Sequence, residues 1–249
     1  MKAALTPPWC ATGKKLESSI RKAIFEYRLL DGVERLAVAL SGGKDSISLL
    51  AMLKAISGRG MPDFQIVAIH VSGTFSCGAG VNSNYLKTLC DELQVPLIVR
   101  EANQPIETLE CYSCSRRRRT LIFDAAKEMR CTHVAFGHHR DDNAETFLMN
   151  LLHKGECAGL LPKLEMVDYG ITIIRPLILA DEKEIISFAQ NSQFLRITCQ
   201  CPVGQKSKRK VADSLLQEME HHFPHARSNI ASASLTYGSQ KAAIPKKRT

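Results

Sequence analysis

A chain of 249 residues with 45% apolar content is long enough to bury one core with appended helices, and it has no apolar stretch long enough to span a bilayer. Nine cysteines, an odd number in a chain of this size, point to thiols or metal ligands in a reducing compartment and away from a disulfide framework. The net charge of +8 is clustered at RRRR (116–119), KSKRK (206–210) and KKR (246–248), a distribution that favours a nucleic-acid partner.

The start, MKAALTPPWCATGKK, combines a single early lysine with a short apolar segment and a Pro-Pro pair, so a secretory leader is not expected. Leu16, Ile20, Ile24, Tyr27 and Leu30 recur at helical spacing within 16–31, and Asp31-Gly32 ends that helix. Arg35 to Leu40 reads as a buried strand. From Ile47 to Ile56 the apolar residues return to helical spacing, so SGGKDS (41–46) is a strand-to-helix turn. After the break SGRGMP come a strand at 64–71, a helix from about Asn82 to Leu93 and a third strand at 95–101. CYSCSRRRRTLIFDAAKEM starts in a loop and turns helical, ahead of a fourth strand at 132–139. DDNAETFLMNLLHKG is helical, 169–179 is extended, and DEKEIISFAQNSQ is a helix opened by acidic residues that suit its dipole. Residues 211–224 form a further helix, and beyond Ser234 a loose tail is expected.

Strands alternating with helices predict an α/β chain, a doubly wound, mostly parallel sheet with helices on both faces. Ligands bind such sheets outside the carboxyl ends of the strands, which places SGGKDS, His70 and GHHRDD on one rim. Three parts are expected: an N-terminal helical segment (1–31), a nucleotide-binding domain carrying the Cys-x-x-Cys segment (32–205), and a C-terminal helix with a basic tail (206–249).

The glycines of SGGKDS let several backbone N–H groups converge on one anion, and the helix start adds roughly half a positive charge, so a phosphorylated ligand is expected. The turn is not a Walker loop, because the first glycine of that pattern is missing and Asp45 follows the lysine. Asp45 and Ser46 also suit helix capping. Lys44 either adds a cation or faces solvent. Asp141 and Asp142 offer hard oxygen ligands for magnesium, or simply cap the helix they open. Cys111 and Cys114 can lie on one side of a turn. Alone, that spacing fits a zinc half-site, a redox pair or coincidence, and with Cys199 and Cys201 a four-thiolate zinc site stays open. Cys10, Cys77, Cys90, Cys131 and Cys157 read as ordinary thiols. Arg116 to Arg119, if helical, point around the axis and cannot all reach one ligand.

SGGKDS resembles the PP-loop of the N-type ATP pyrophosphatases, which split ATP to AMP and pyrophosphate. GHHRDDNAET and IRPLIL resemble later motifs of that superfamily. More narrowly, CYSCSRRRR, GHHRDD, GLLPKL and CQCPVGQ in this order resemble the tRNA 2-thiocytidine synthetases, from about Lys15 to His222. The resemblance implies an adenine nucleotide alpha-hydrolase-like fold and an enzyme: ATP adenylates the C2 oxygen of a cytidine in the anticodon loop, and sulfur then displaces AMP. It implies ATP held by Ser41, Gly42, Gly43, Lys44, Asp45, Ser46, His70, Gly137 and His138, with Mg2+ on Asp141. Asp142 is implied in acid–base work, and Arg118 is implied to face the active site. A 4Fe-4S cluster is implied on Cys111, Cys114 and Cys201, with Cys199 competing for the third place. The partners implied are tRNA and a sulfur donor such as a cysteine desulfurase, in a cytoplasmic homodimer with no membrane. Two other readings stay open: a 2-thiouridine or lysidine synthetase of the same superfamily, or a non-catalytic ATP- and RNA-binding protein.

Overall fold

The computed structural model describes residues 5–73, 83–102, 111–193 and 208–240, with the backbone alone at 111 and 112. In chain order these carry α1 (Ala11–Glu26), β1 (Arg35–Ala39), α2 (Lys44–Ile56), β2 (Gln65–Ser72), α3 (Ser83–Glu92), β3 (Leu97–Glu101) and α4 (Cys111–Glu128). Then follow β4 (His133–Ala135), α5 (Arg140–Lys154), β5 (Lys163–Met166), β6 (Ile171–Ile174), α6 (Glu182–Asn191), α7 (Lys208–His222) and α8 (Ala226–Tyr237). The strands lie in the order β3-β2-β1-β4-β6-β5, parallel except for β5, which runs antiparallel to β6. The chain works outward from β1 to β3 and then returns past β1 to place β4 on its other side. Strand order therefore reverses between β1 and β4, and at such a switch point a crevice opens at the carboxyl ends.

Side chains alternate across each strand, and both faces are covered. Leu36 and Val38 of β1, with Ile66 and Ala68 of β2, enter a core that also holds Leu16 and Ile20 of α1, Leu50 of α2 and Phe188 of α6. Ala37, Ala39, Val67, Ile69 and Ile173 face the other way, into a second core with Phe123 of α4. The alanines on this side leave room for a cavity at the end of β1. A third cluster of Ala144, Leu148, Ala212, Leu216 and Ala231 joins α5, α7 and α8. Leu216 is fully buried there, and truncating it to alanine would cost about 2–5 kcal/mol.

Five elements differ from the sequence reading. The helix expected over 16–31 is α1, which ends at Glu26 before Asp31-Gly32, and the strand expected over 132–139 shortens to β4. The segment CYSCS does not begin as a loop: α4 is helical from Cys111 onward. Cys114, Arg118 and Ile122 are four apart and share one face of it, so the helix starts early enough to carry a thiol and a guanidinium on one stripe. The extended stretch at 169–179 shortens to β6, which pairs with an unforeseen β5. Residues from Leu235 to Tyr237 belong to α8 and not to a tail. Its sequence, ARSNIASASLTY, has almost no apolar moment because small residues let it pack close to α5. Asn143 of α5 donates to the Ala231 carbonyl at 3.2 Å and accepts from the Leu160 N–H at 2.7 Å. A methyl on Gly159 would stand 2.0 Å from Ser234 Oγ and 2.3 Å from Asn143 Oδ1, so this close approach requires glycine.

Candidate active site

Leaving β1, the chain must turn within a few residues to start α2. Gly42 makes the turn at φ +86°, a region that costs other residues roughly 1–2 kcal/mol. Gly43 is the N-cap of α2, and the Ser46 hydroxyl donates to its carbonyl at 3.0 Å. Ser41 Oγ stands 3.1 Å from Ser46 Oγ, tying the two ends of the turn together. The first N–H groups of a 13-residue helix are thus gathered at its positive end.

The segment after β4 closes on this turn. A methyl on Gly137 would come within 3.1 Å of the Ser46 nitrogen and of the Asp45 carbonyl carbon, so any side chain there would press the two backbones apart by a few tenths of an ångström. The His138 ring stacks on Phe136, with centroids 5.7 Å apart and planes 19° apart. Burial, reinforced by the Arg175 charge, pushes its pKa down to about 3, so the ring is neutral. His139 has the opposite state. Its Nε2 lies 3.4 Å from Asp142 Oδ2 and 3.9 Å from Asp45 Oδ1, and its Nδ1 lies 3.7 Å from Asp141 Oδ2. Burial alone would lower its pKa, but the three carboxylates outweigh burial and raise it to about 9. For Asp142 burial works upward, and the charges of His139 and Arg209 hold the carboxyl below its ordinary range. Arg209 reaches from α7 to place Nη1 3.3 Å from Asp142 Oδ1.

Between the switch point and α4 lies a cavity of about 380 Å³. Ile69, Val71, Ile122 and Phe136 make its apolar wall. Ser41, Asp45, Ser46, Gly137, His138 and Asp142 line it from the two turns, while Cys114, Arg118 and Arg119 line it from α4. Arg116 and Arg117 point outward and are exposed, as a helical run of arginines requires.

Other residues of the expected set lie elsewhere. Lys44 does not line the cavity; its Nζ bridges Asp45 Oδ1 at 2.9 Å and Glu182 Oε1 at 2.8 Å. His70 is fully buried, with Nδ1 2.8 Å from the Leu40 carbonyl, and acts on the end of β1 from behind. Asp141 Oδ2 accepts from the Glu182 N–H at 2.9 Å, and its Oδ1 lies 3.6 Å from Arg227 Nε, so its oxygens brace α5 against α6 and α8. Cys77, Cys199 and Cys201 fall outside the described residues, and of Cys111 only the backbone is described. Cys90 and Cys131 are buried thiols that burial pushes up to about 12 and about 11. Among the described residues no group of three His, Cys, Asp or Glu could hold a metal ion, and no helix is long and apolar enough to cross a membrane.

Residues 13–197 match the PP-loop domain family. A tRNA-cytidine(32) 2-sulfurtransferase 1 from Francisella philomiragia subsp. philomiragia is 34% identical over 228 residues, covering 88% of each chain. A tRNA-cytidine(32) 2-sulfurtransferase from Geobacter metallireducens is 32% identical over 228 residues, also covering 88% of each. The chain belongs to the tRNA 2-thiocytidine synthetase family of PP-loop proteins. Its fold is shared with the U34-tRNA thiolase NcsA from Methanococcus maripaludis, with a TM-score of 0.76 at 21% identity, over 96% of this chain and 85% of that one.

The PP-loop family match spans the Ser41–Ser46 turn, the Gly137 contact and the Cys114–Arg118 stripe, and ends before α7. What α7 and α8 bring to the carboxylates beside this cavity was not visible in the sequence. Arg209 sits in the basic run KSKRK, whose charge favours a nucleic-acid partner, yet it contacts both Asp142 and Glu145. Arg227 is 9% exposed and lies within 3.6 Å of carboxylates from Asp141, Glu145, Asp213 and Glu220. Nothing in HARSN signals that. Arg175 lies within the quoted IRPLIL, and its burial beside His138 had no sequence signal beyond the motif itself.

Proposed function

We propose that this chain thiolates tRNA: ATP adenylates the C2 oxygen of a cytidine in the anticodon loop, pyrophosphate leaves, and sulfur displaces AMP to give 2-thiocytidine. One observation carries the reading. The Ser41–Ser46 turn, Asp142 and the Cys114–Arg118 stripe face one cavity, so a phosphate site, a carboxylate and a thiol stand around a single reaction volume.

A carbonyl oxygen leaves poorly until it is esterified to phosphate. In this reading the N–H groups of the turn and the hydroxyls of Ser41 and Ser46 stabilise the charge that grows on the departing pyrophosphate. Lys44 acts through Asp45, which it holds in place. Arg118 and Arg119 offset phosphate charge at the cavity mouth. Asp142, ionised, takes the proton released when a hydrosulfide sulfur enters and the C=S bond forms. Magnesium, a hard ion that favours oxygen ligands, would offset phosphate charge when the nucleotide is bound. Asp142 and Asp45 are the carboxylates that line the cavity and could hold the ion, whereas Asp141 is committed to its helix contacts. Cys114 supplies a buried thiol at the cavity wall, the donor chemistry that an iron–sulfur cluster requires. With Cys111 and Cys201, or Cys199 in its place, it would hold a 4Fe-4S cluster. Such a cluster, when bound, supplies an open iron position for sulfur. The exposed Arg116 and Arg117 engage tRNA phosphates, and a base in an anticodon loop is already partly unstacked. The reading includes a sulfur donor such as a cysteine desulfurase, a homodimer and a cytoplasmic setting.

The test uses full-length protein, reconstituted anaerobically with iron and sulfide and supplied with ATP and unmodified tRNA. Pyrophosphate release matched by 2-thiocytidine in nucleoside mass analysis is the expected result. Appearance of 2-thiouridine would move the chain to another branch, and binding without pyrophosphate release would make it a non-catalytic ATP- and RNA-binding protein.

A further inference from the structure

Arg175 Nε lies 3.4 Å from His138 Nδ1. A guanidinium carries donors only, so Nδ1 is the acceptor and the ring proton of a neutral imidazole must sit on Nε2. The ring cannot easily turn away, because it stacks on Phe136 at 5.7 Å. Arg175 is itself fixed: it is 7% exposed, just past β6, and its Nη1 donates to the Leu161 carbonyl. With Nδ1 taken by Arg175, the Nε2 edge is the one free to serve the cavity that His138 lines with Ser41, Ser46 and Asp142. The charged groups around the ring come from every neighbouring element. They are Arg175 past β6, His139 and Asp142 at the start of α5, and Arg209 of α7, while Arg118 and Arg119 of α4 and Asp45 of the turn line the same cavity. Cations are in the majority, and they oppose a second proton on the ring.

We propose that Arg175 is a positioning residue that holds His138 in its Nε2–H tautomer, so that the cavity presents a neutral hydrogen-bond donor to a phosphoryl oxygen of the bound nucleotide. A phosphoryl oxygen is the fitting acceptor because Gly137, one residue earlier, touches the backbone of the turn that gathers phosphate. The opposite tautomer would aim a lone pair at that oxygen. This inference rests on the reading that a nucleotide occupies the cavity, and not on which base is thiolated.

The experiment is two-bond 1H–15N correlation spectroscopy of histidine-labelled full-length protein, with the His138 signal identified by its loss in His138→Gln. At pH 7 the native ring should show a protonated Nε2 and a bare Nδ1, and adding ATP should shift Nε2. In Arg175→Met the tautomers should mix and the ring should begin to titrate between about pH 5 and 7. The KM for ATP should then rise about tenfold and become pH-dependent. Arg175→Gln, whose amide can donate to Nδ1, should recover most of that loss. A native ring protonated on Nδ1, or an Nε2 signal that ignores ATP, overturns the proposal even if Arg175→Met does not fold. An Arg175→Met spectrum like the native one overturns it as well. Native tautomer and ATP shift without thiolation would instead count against the proposed function and leave this inference standing.

Discussion

His139 and Asp142 are tied twice: the His139 backbone N–H donates to Asp142 Oδ2 at 2.9 Å, and the His139 ring nitrogen Nε2 lies 3.4 Å from the same oxygen. The first contact caps α5, and the second holds a cation among carboxylates. The folded-state pKa of His139, about 9, lies above its ordinary value of 6.5. Its stabilisation is therefore complete below pH 6.5 and is lost as pH rises through about 9. Melting temperature should fall across that window in the native protein and fall less in His139→Gln. Glu145, raised by burial from 4.5 to about 7, loses its contribution in a lower window, and it does so in both proteins. Equal slopes for the two proteins between pH 7 and 9 would remove the ionic cage from the account.

Asp142→Asn keeps an oxygen to accept the His139 N–H but removes the charge that Arg209 faces. Thiolation should drop by about 100-fold and tRNA affinity should persist, while stability should fall by roughly 1–3 kcal/mol because Arg209 and the buried His139 each lose a facing charge. Filter binding with unmodified tRNA and nucleoside analysis separate the two effects. Full thiolation by the variant would remove Asp142 from the chemistry.

The two glycines of the turn make different demands. Gly42 needs φ +86°, whereas Gly43 has φ −75° and its added methyl would meet only Ser41 Oγ, at 3.6 Å. Gly42→Ala should cost roughly 1–2 kcal/mol in denaturant unfolding, and Gly43→Ala should cost almost nothing. Calorimetric titration with ATP should nonetheless show weakened binding for Gly43→Ala, because the methyl would stand where a phosphate approaches. Unchanged ATP affinity would take the phosphate away from this turn.

Cys114→Ala should abolish the brown colour of anaerobically reconstituted protein and leave ATP affinity within about twofold. Cys131→Ala, which removes a buried thiol with raised pKa in the sheet core, should stay brown. Iron content and absorbance decide the comparison; a Cys114→Ala protein with a full iron complement would remove that thiol from the ligand set.

Much of the frame was legible because periodicity and turn chemistry are local. The apolar run from Arg35 to Leu40, the glycines after it and the helical spacing beyond announced a strand, an anion-binding turn and a helix without reference to anything distant. The parallel, doubly wound sheet followed from alternation, and it set Ser41, Ser46, His138 and Asp142 on one rim. The early start of α4 and the whole of α8 were not legible. The first has a polar opening whose helicity is settled by burying Cys114, and the second is too short of large apolar residues to show a stripe.

Residue types in order along the chain were enough to specify most of the elements, the glycine turn after β1 and the family motifs, since helical spacing and turn chemistry depend on neighbours a few positions away. Which charges meet was decided only in three dimensions. Two adjacent histidines, His138 and His139, take opposite protonation states because burial, reinforced by Arg175, keeps one neutral while three carboxylates outweigh burial at the other. Arg209 turns inward from a basic run because α7 docks on α5. Electrostatic energy depends on distance and burial, and neither is a property of the chain until it has folded.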